Sequence, residues 1–338
     1  MVVSEIGERR LLDLIRARLS AQSRRSRRGL VVDIGDDAAV VVPTRNAQSV
    51  LTTDAQIEGV HFERRLAAPA DIGYRALAVN LSDLAAMGAR PRWALLSLML
   101  PGVMPVREIE DLVDGMVACG NAHGAAVIGG NLTRSPGPLM VDVTVVGEAM
   151  PRRVLTRSGA RPGDAVYVSG TVGGAAAGLE MLRAARSTID NEFERACIER
   201  YRRPEPRVKL GLTMAQARAA RAAIDLSDGL AEAAAQLAEA SGCGIEVDGA
   251  LVPIEEGARV WWETAGRDPL MAALTGGDDY ELLFAVPGNR GGQLRHARSR
   301  VAAPALTRIG VLTKDPDARV LVRNGRKESL PKGFVHWS

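Results

Sequence analysis

The chain is poor in three kinds of residue. Among 338 residues there are three cysteines and four histidines, and Phe, Tyr and Trp together make up 4%. Cys119, Cys197 and Cys243 are odd in number, far apart and without a C-x-x-C pair. That spacing excludes a disulfide scaffold and fits reduced, structural thiols. His61, His123, His296 and His336 never fall into H-E-x-x-H, and Cys119 with His123 on one helix face supplies two ligands where a zinc site needs more. No apolar run approaches the roughly 20 residues of a membrane span, and "MVVSEIGERR" leads into an amphipathic stretch, unlike a signal peptide. The expectation is a cytoplasmic protein with no membrane partner. A formal charge of +3 is too small to argue for nucleic acid. The basic stretch "RRSRRGL" at 24–30 has no interleaved aromatics for base stacking and reads as a solvated loop.

The usual catalytic loops are missing too. There is no G-x-S-x-G, no G-x-x-x-x-G-K-[ST] and no G-x-G-x-x-G. "GTVGGAAAGLE" at 170–180 reads as a turn with tight helix packing in preference to a phosphate cradle.

Short acidic groups at the ends of elements recur instead. "VVDIGDDAAVVVP" sets Asp33, Asp36 and Asp37 between two strand-like runs. Thr52, Thr53 and Asp54 end a strand, and Asn80 and Asp83 lie three apart on one helix face. "DLSDG" carries Asp225 and Asp228, and "GGDDYE" carries Asp278, Asp279 and Glu281. Each has a plain reading as a turn, a surface carboxylate or, for Ser227 and Asp228, a helix cap. Together, in a chain of net positive charge, they point to one oxygen-rich pocket. Such a pocket suits Mg²⁺ with phosphates, hence nucleotide chemistry.

Periodicity predicts helices over "EIGERRLLDLIRARLSA", "ADIGYRALAVNLSDLAAMGARP" and "VREIEDLVDGMVACGNAHG". It predicts strands over "SVLTTDAQIEGVHF", "WALLSLMLP" and "LMVDVTVVGEA", a short one over "AAVIGG", and a terminal pair joined at Asn324–Gly325. Strands and helices mix without strict alternation, which predicts two α+β domains, 1–150 and 151–338.

"DIGDDAAVV", "TTDAQIEGVHF", "YRALAVNLSDLAAMGARP", "LTRSGARPGD", "AIDLSDGL", "GGDDYEL" and "KGFVHW", in that order, resemble the thiamine-monophosphate kinases of the aminoimidazole-ribonucleotide synthetase superfamily, across almost the whole chain. The resemblance implies that superfamily's two-domain α+β fold, an N-terminal metal- and ATP-binding domain that pairs in a homodimer, and a C-terminal α+β domain. It implies transfer of phosphate from ATP to thiamine phosphate with Mg²⁺. It places Asp37, Thr52, Thr53, Asp54, Asp83, Asp225 and Asp228 at metal-binding positions, Gly130, Arg157 and Ser227 at ATP-binding positions, and His61, Asp278 and Phe334 at substrate-binding positions. Asn131 departs from the pattern: "GGNLTR" stands where the family has "GGD" before "TR", so a metal- and ATP-site carboxylate becomes an amide. Selenide, water dikinases use an N-terminal Cys or selenocysteine and the hydrogenase-maturation relative a C-terminal Cys; here the first cysteine is Cys119 and the chain ends "FVHWS". Another acceptor within the superfamily, or a binder that lost turnover at Asn131, stays open.

The chemistry suits the residues. A phosphate nucleophile is already anionic and needs no protein base. It needs relief from repulsion and alignment, which carboxylate-held Mg²⁺ supplies. Arg157 offers bidentate phosphate contact, and Phe334 a face for the cationic thiamine ring.

Overall fold

A computed structural model describes residues 1–184, 191–301 and 304–333. The chain divides into two compact units, one of Met1–Leu84 with Ala89–Arg152, the other of Ala85–Gly88 with Arg153–Ser338.

The first unit runs α1 (Val3–Ile6), α2 (Glu8–Leu19), β1 (Leu30–Val32), β2 (Val40–Val41), β3 (Gln48–Ile57), α3 (Pro69–Ala86), β4 (Arg90–Pro101), α4 (Val106–His123), β5 (Ala126–Ser135) and β6 (Met140–Ala149). The expected first helix is broken at Gly7, whose φ of 78° lies in the left-handed region. Leu11, Ile15 and Leu19 then form the buried stripe of α2. The strand read as "AAVIGG" continues to Ser135, because parallel pairing with β4 carries Asn131–Ser135 along Ser97–Pro101. Tertiary pairing overrides the turn preference of Gly-Gly-Asn.

The four-stranded sheet has the order β3-β6-β4-β5, with β4 and β5 parallel and the other pairs antiparallel. Side chains alternate between its two faces. One face carries Val143, Val145, Leu96 and Leu98, all buried. Helix α3 lies on it, where Asp83 meets Thr52. The opposite face carries Leu51, Thr53, Thr144, Leu95 and Asn131, and Leu51 and Leu95 are exposed.

The second unit runs β7 (Ala165–Ser169), α5 (Gly174–Arg183), α6 (Glu192–Arg202), α7 (Val208–Ala217), β8 (Ala222–Asp225), α8 (Leu230–Ala240), β9 (Gly244–Asp248), α9 (Glu256–Thr264), α10 (Pro269–Thr275), β10 (Leu282–Val286), α11 (Gly291–Ser299), β11 (Leu306–Thr313), β12 (Arg319–Arg323) and β13 (Arg326–Ser329). Its seven strands follow the order β13-β12-β9-β11-β7-β10-β8. Trp262, Val166, Val168, Leu283 and Leu237 are part of its buried core. The β12–β13 hairpin turns at Asn324 (φ 50°) and Gly325 (φ 74°), the two positive φ values that a type I′ turn requires. Among the described residues no helix is long and apolar enough to cross a membrane.

Candidate functional site

In the first unit the three carboxylates of "DIGDD" have separate fates. Asp33 pairs with Arg27, so the basic stretch before β1 neutralises one of them. Asp36 Oδ1 accepts from the backbone N–H of the next residue, Asp37, at 2.9 Å. Asp37 lines a cavity of about 720 Å³ bounded also by Trp93, Leu95, Ser97, Gly130 and Asn131. That volume lies within the range of small-ligand sites. The structure therefore brings together three sequence candidates, Asp37, Gly130 and Asn131. Gly130 is required sterically: a Cβ there would lie 1.8 Å from the Leu96 carbonyl oxygen, so β5 approaches β4 only through glycine.

The alternation of β3 splits the "TTD" triplet. Thr52 and Asp54 face α3, and Thr52 Oγ1 donates to Asp83 Oδ2 at 2.5 Å. Thr53 points to the other face, where Oγ1 lies 3.2 Å from Asp142 Oδ1 and 3.0 Å from Thr144 Oγ1. Asp142 is register partner to Ser97, which in turn pairs with Asn131. The sequence reading passed over Asp142. Its signal was the alternation of "LMVDVTVV", which sets Asp142 and Thr144 on the face opposite the buried valines. Thr52, Thr53, Asp54 and Asp83 do not line the cavity. His61 follows β3, and its Nδ1 accepts from the Ile57 N–H at 3.1 Å. That bond leaves the ring proton of a neutral imidazole on Nε2.

In the second unit the two acidic turns are laced together. The Asp278 N–H donates to the Ser227 carbonyl at 2.8 Å, and the Tyr280 N–H to the Leu226 carbonyl at 3.0 Å. Asp225, Ser227, Asp228 and Asp278 thus belong to one patch at the ends of β8 and β10. The N-cap of α8 is Gly229, with φ 98°, so neither Ser227 nor Asp228 holds that position. Arg157 Nη1 donates to Gln236 Oε1 at 3.0 Å, and Gln236 Nε2 to Glu232 Oε1 at 2.9 Å, a chain leading back along α8 toward its start. A Cβ on Gly333 would lie 2.7 Å from the Asp228 carbonyl oxygen. Phe334, proposed from the sequence for the substrate, lies outside the described residues.

The carboxylates after Asp278 turn inward. Asp279 is buried and accepts from the backbone N–H groups of Gly173 at 2.6 Å and Ala175 at 3.3 Å, at the start of α5. The glycine-rich stretch 170–180 is thus capped by the protein's own anion. Burial pushes the Asp279 carboxyl up to about 7, against the Arg200 cation and the two N–H groups that favour its ionised form. Glu281 is fully buried and ion-paired with Arg207 and Arg200.

All the candidate metal-site donors are hard oxygens. Among the described residues no three His, Cys, Asp or Glu side chains come together as a cage.

Comparison with known proteins places the arrangement. The sequence profile of the AIR synthase related protein N-terminal domain matches residues 35–149, and that of the C-terminal domain matches residues 161–323. The thiamine-monophosphate kinase of Escherichia coli is 39% identical over 323 residues, covering 95% of this chain and 97% of that one. The chain belongs to the thiamine-monophosphate kinase family. The thiamine-monophosphate kinase of Bacillus subtilis is 34% identical over 317 residues, 90% of this chain and 93% of that one. The crystal structure of a thiamine-monophosphate kinase from Stenotrophomonas maltophilia superposes with a TM-score of 0.77 at 40% identity, covering 90% and 93% of the two chains. The structure of AaThiL complexed with AMPPCP and TMP does so with a TM-score of 0.76 at 35% identity, covering 100% and 99%. The fold expected from the sequence, two-domain α+β of the AIR synthetase type, is the fold found.

Proposed function

We propose that the protein transfers the terminal phosphoryl group of ATP to thiamine phosphate, giving thiamine diphosphate and ADP. The observation that carries this is the chain-long match to thiamine-monophosphate kinases, with the sequence's acidic turns intact and those of the second unit hydrogen-bonded side by side. A phosphate oxygen of thiamine phosphate attacks the γ-phosphorus in line, and the bond from that phosphorus to the ADP oxygen breaks. No proton has to be removed from the nucleophile, which agrees with the lack of a histidine or lysine within the acidic motifs.

Asp37, Thr52, Thr53, Asp54, Asp83, Asn131, Asp225 and Asp228 are the residues we assign to Mg²⁺. The metal, when bound, offsets the charge of the approaching phosphates. The cavity beside Gly130 and Asn131 is the place proposed for ATP within the first unit, and in the second unit Arg157 and Ser227 are assigned to ATP from the family pattern. His61 and Asp278 are assigned to thiamine phosphate, together with Phe334. Asp278 meets the cationic thiazolium with a carboxylate. Thr52 holds Asp83 in one orientation, so that carboxylate is set before ligand arrives.

We further propose a homodimer through the first unit. The exposed Leu51 on the open sheet face, outside the cavity, supports it, since an exposed apolar side chain gains by being covered. The three cysteines are buried and in no disulfide, which agrees with a cytoplasmic location.

The test is to incubate the purified protein with ATP, Mg²⁺ and thiamine phosphate and to separate the products. Thiamine diphosphate forms only with metal present, and Asp54→Ala and Asp83→Ala each lose nearly all turnover while remaining folded. Folded wild-type protein that makes no thiamine diphosphate overturns the reading. A variant that keeps near-wild-type turnover removes its residue from the site.

A further inference from the structure

The "GGDDYE" turn takes an unusual path for residues with side chains. Asp278 (φ 69°) and Tyr280 (φ 50°) both lie in the left-handed region. Such backbone persists only where its surroundings hold it. Part of the hold is local: the Tyr280 hydroxyl donates to Asp278 Oδ1 at 3.0 Å. The backbone bonds to Leu226 and Ser227 add to it. The rest comes from Glu281, one residue beyond the turn.

Glu281 is fully buried, so its charge must be met inside the protein. Arg207 meets it with a fork: Nε donates to Oε2 at 2.8 Å and Nη2 to Oε1 at 2.5 Å. Arg200 Nη2 donates to Oε1 at 3.2 Å, and Ser169 Oγ to Oε2 at 2.5 Å. The two arginines come from different elements. Arg200 is in the last turn of α6, and Arg207 is the N-cap residue of α7, with the two-proline linker between them. Arg200 also donates to the Thr171 carbonyl at 2.7 Å and lies 3.9 Å from Asp279 Oδ1. Both carboxylates that follow Asp278 in the turn are therefore tied to a cation anchored elsewhere. A forked pair fixes a carboxylate in rotation as well as position.

We propose that Arg207, with Arg200 beside it, is a positioning residue for substrate: its fork on Glu281 holds the turn that presents Asp278 to thiamine phosphate. The proposal rests on the functional reading that gives Asp278 to the substrate. Neither arginine needs to touch a ligand. Replacing the fork by an ammonium keeps the charge and loses the geometry.

Arg207→Lys separates these. The expected result is a rise of roughly tenfold in KM for thiamine phosphate, with KM for ATP and the melting temperature little changed, because only the substrate contact is displaced. Hydrogen exchange of the ligand-free variant at the amides of Asp278 and Tyr280 should be roughly tenfold faster than in wild type, as local opening becomes easier. An unchanged KM for thiamine phosphate, or equal rises in both KM values with a lower melting temperature, overturns the proposal in favour of simple stabilisation. Should Arg207→Lys fail to fold, Arg200→Lys loses a bond to the same carboxylate and is read by the same measurements. Should the wild type make no thiamine diphosphate, the functional reading fails by itself, and exchange then judges the grip: faster exchange supports it, unchanged exchange refutes it.

Discussion

Replacing Asp279 by asparagine tests how a buried anion behaves at a helix start. In the wild type its two oxygens each accept one backbone N–H, from Gly173 and Ala175. An amide has a single acceptor oxygen, so one N–H is left facing an NH₂ group. Above the folded titration point the acceptor is charged, and losing a hydrogen bond to it costs about 1.5–3 kcal/mol. The carboxyl also titrates. Burial, helped by the neighbouring Glu281, outweighs Arg200, and the carboxyl's folded value is about 7 against an ordinary 3.8. An acid that holds its proton more tightly when folded is stabilising at low pH, and that stabilisation is lost as pH rises through the folded value. Between about pH 5.5 and 8 the unfolded chain is ionised throughout, while the folded chain keeps its proton over the 1.5 units up to about 7 and has lost it by 8. At 1.36 kcal/mol per unit that amounts to about 2 kcal/mol. Urea unfolding followed by circular dichroism, at one protein concentration and both pH values, measures it. The stability advantage of wild type over Asp279→Asn should shrink by about 2 kcal/mol from the lower pH to the higher. Groups common to both proteins cancel in the difference. A gap that is constant across this range would refute the titration, and a gap that widens would show that the N–H groups and Arg200 outweigh burial.

Further outcomes follow from single contacts. Gly130→Ala should destabilise the first unit by about 3 kcal/mol or more, read as a lower melting temperature, because its Cβ would strike the Leu96 carbonyl. Thr52→Val should cost about 1–2 kcal/mol in urea unfolding, since Asp83 loses its short hydroxyl bond. Asn131→Asp should lower the Mg²⁺ concentration needed for half-maximal rate; an unchanged curve with an intact fold would assign Asn131 to strand pairing alone. Light scattering at micromolar concentration should give twice the mass of the 338-residue chain, and a monomer would count against the dimer.

Much of the organisation was legible along the chain. Helical spacing located α3 and α4, and Asn324–Gly325 marked its hairpin, because these depend on local periodicity and on the φ values that single residues accept. The acidic motifs could be found as well, and their order along the chain pointed to the family. Individual roles inside a motif could not be read this way. Asp278, Asp279 and Glu281 are nearly adjacent and chemically alike, yet one lies in a strained turn, one caps α5 and one is gripped by two arginines.

Those differences come from partners distant in sequence. Gly173 is 106 residues from Asp279, and Arg207 is 74 from Glu281. Thr52 and Thr53 part company for a nearer reason: strand alternation sends one to Asp83 and the other to Asp142, and only the sheet's register names those partners. Gly130 closes the short strand that the sequence predicts, but only the sheet shows why it must be glycine: β4 runs too close for a Cβ. The sequence by itself determined which elements form and which carboxylates exist. The tertiary structure decided which of them are spent on folding, since burial and pairing are properties of contacts between segments, and no local pattern encodes the distance between them.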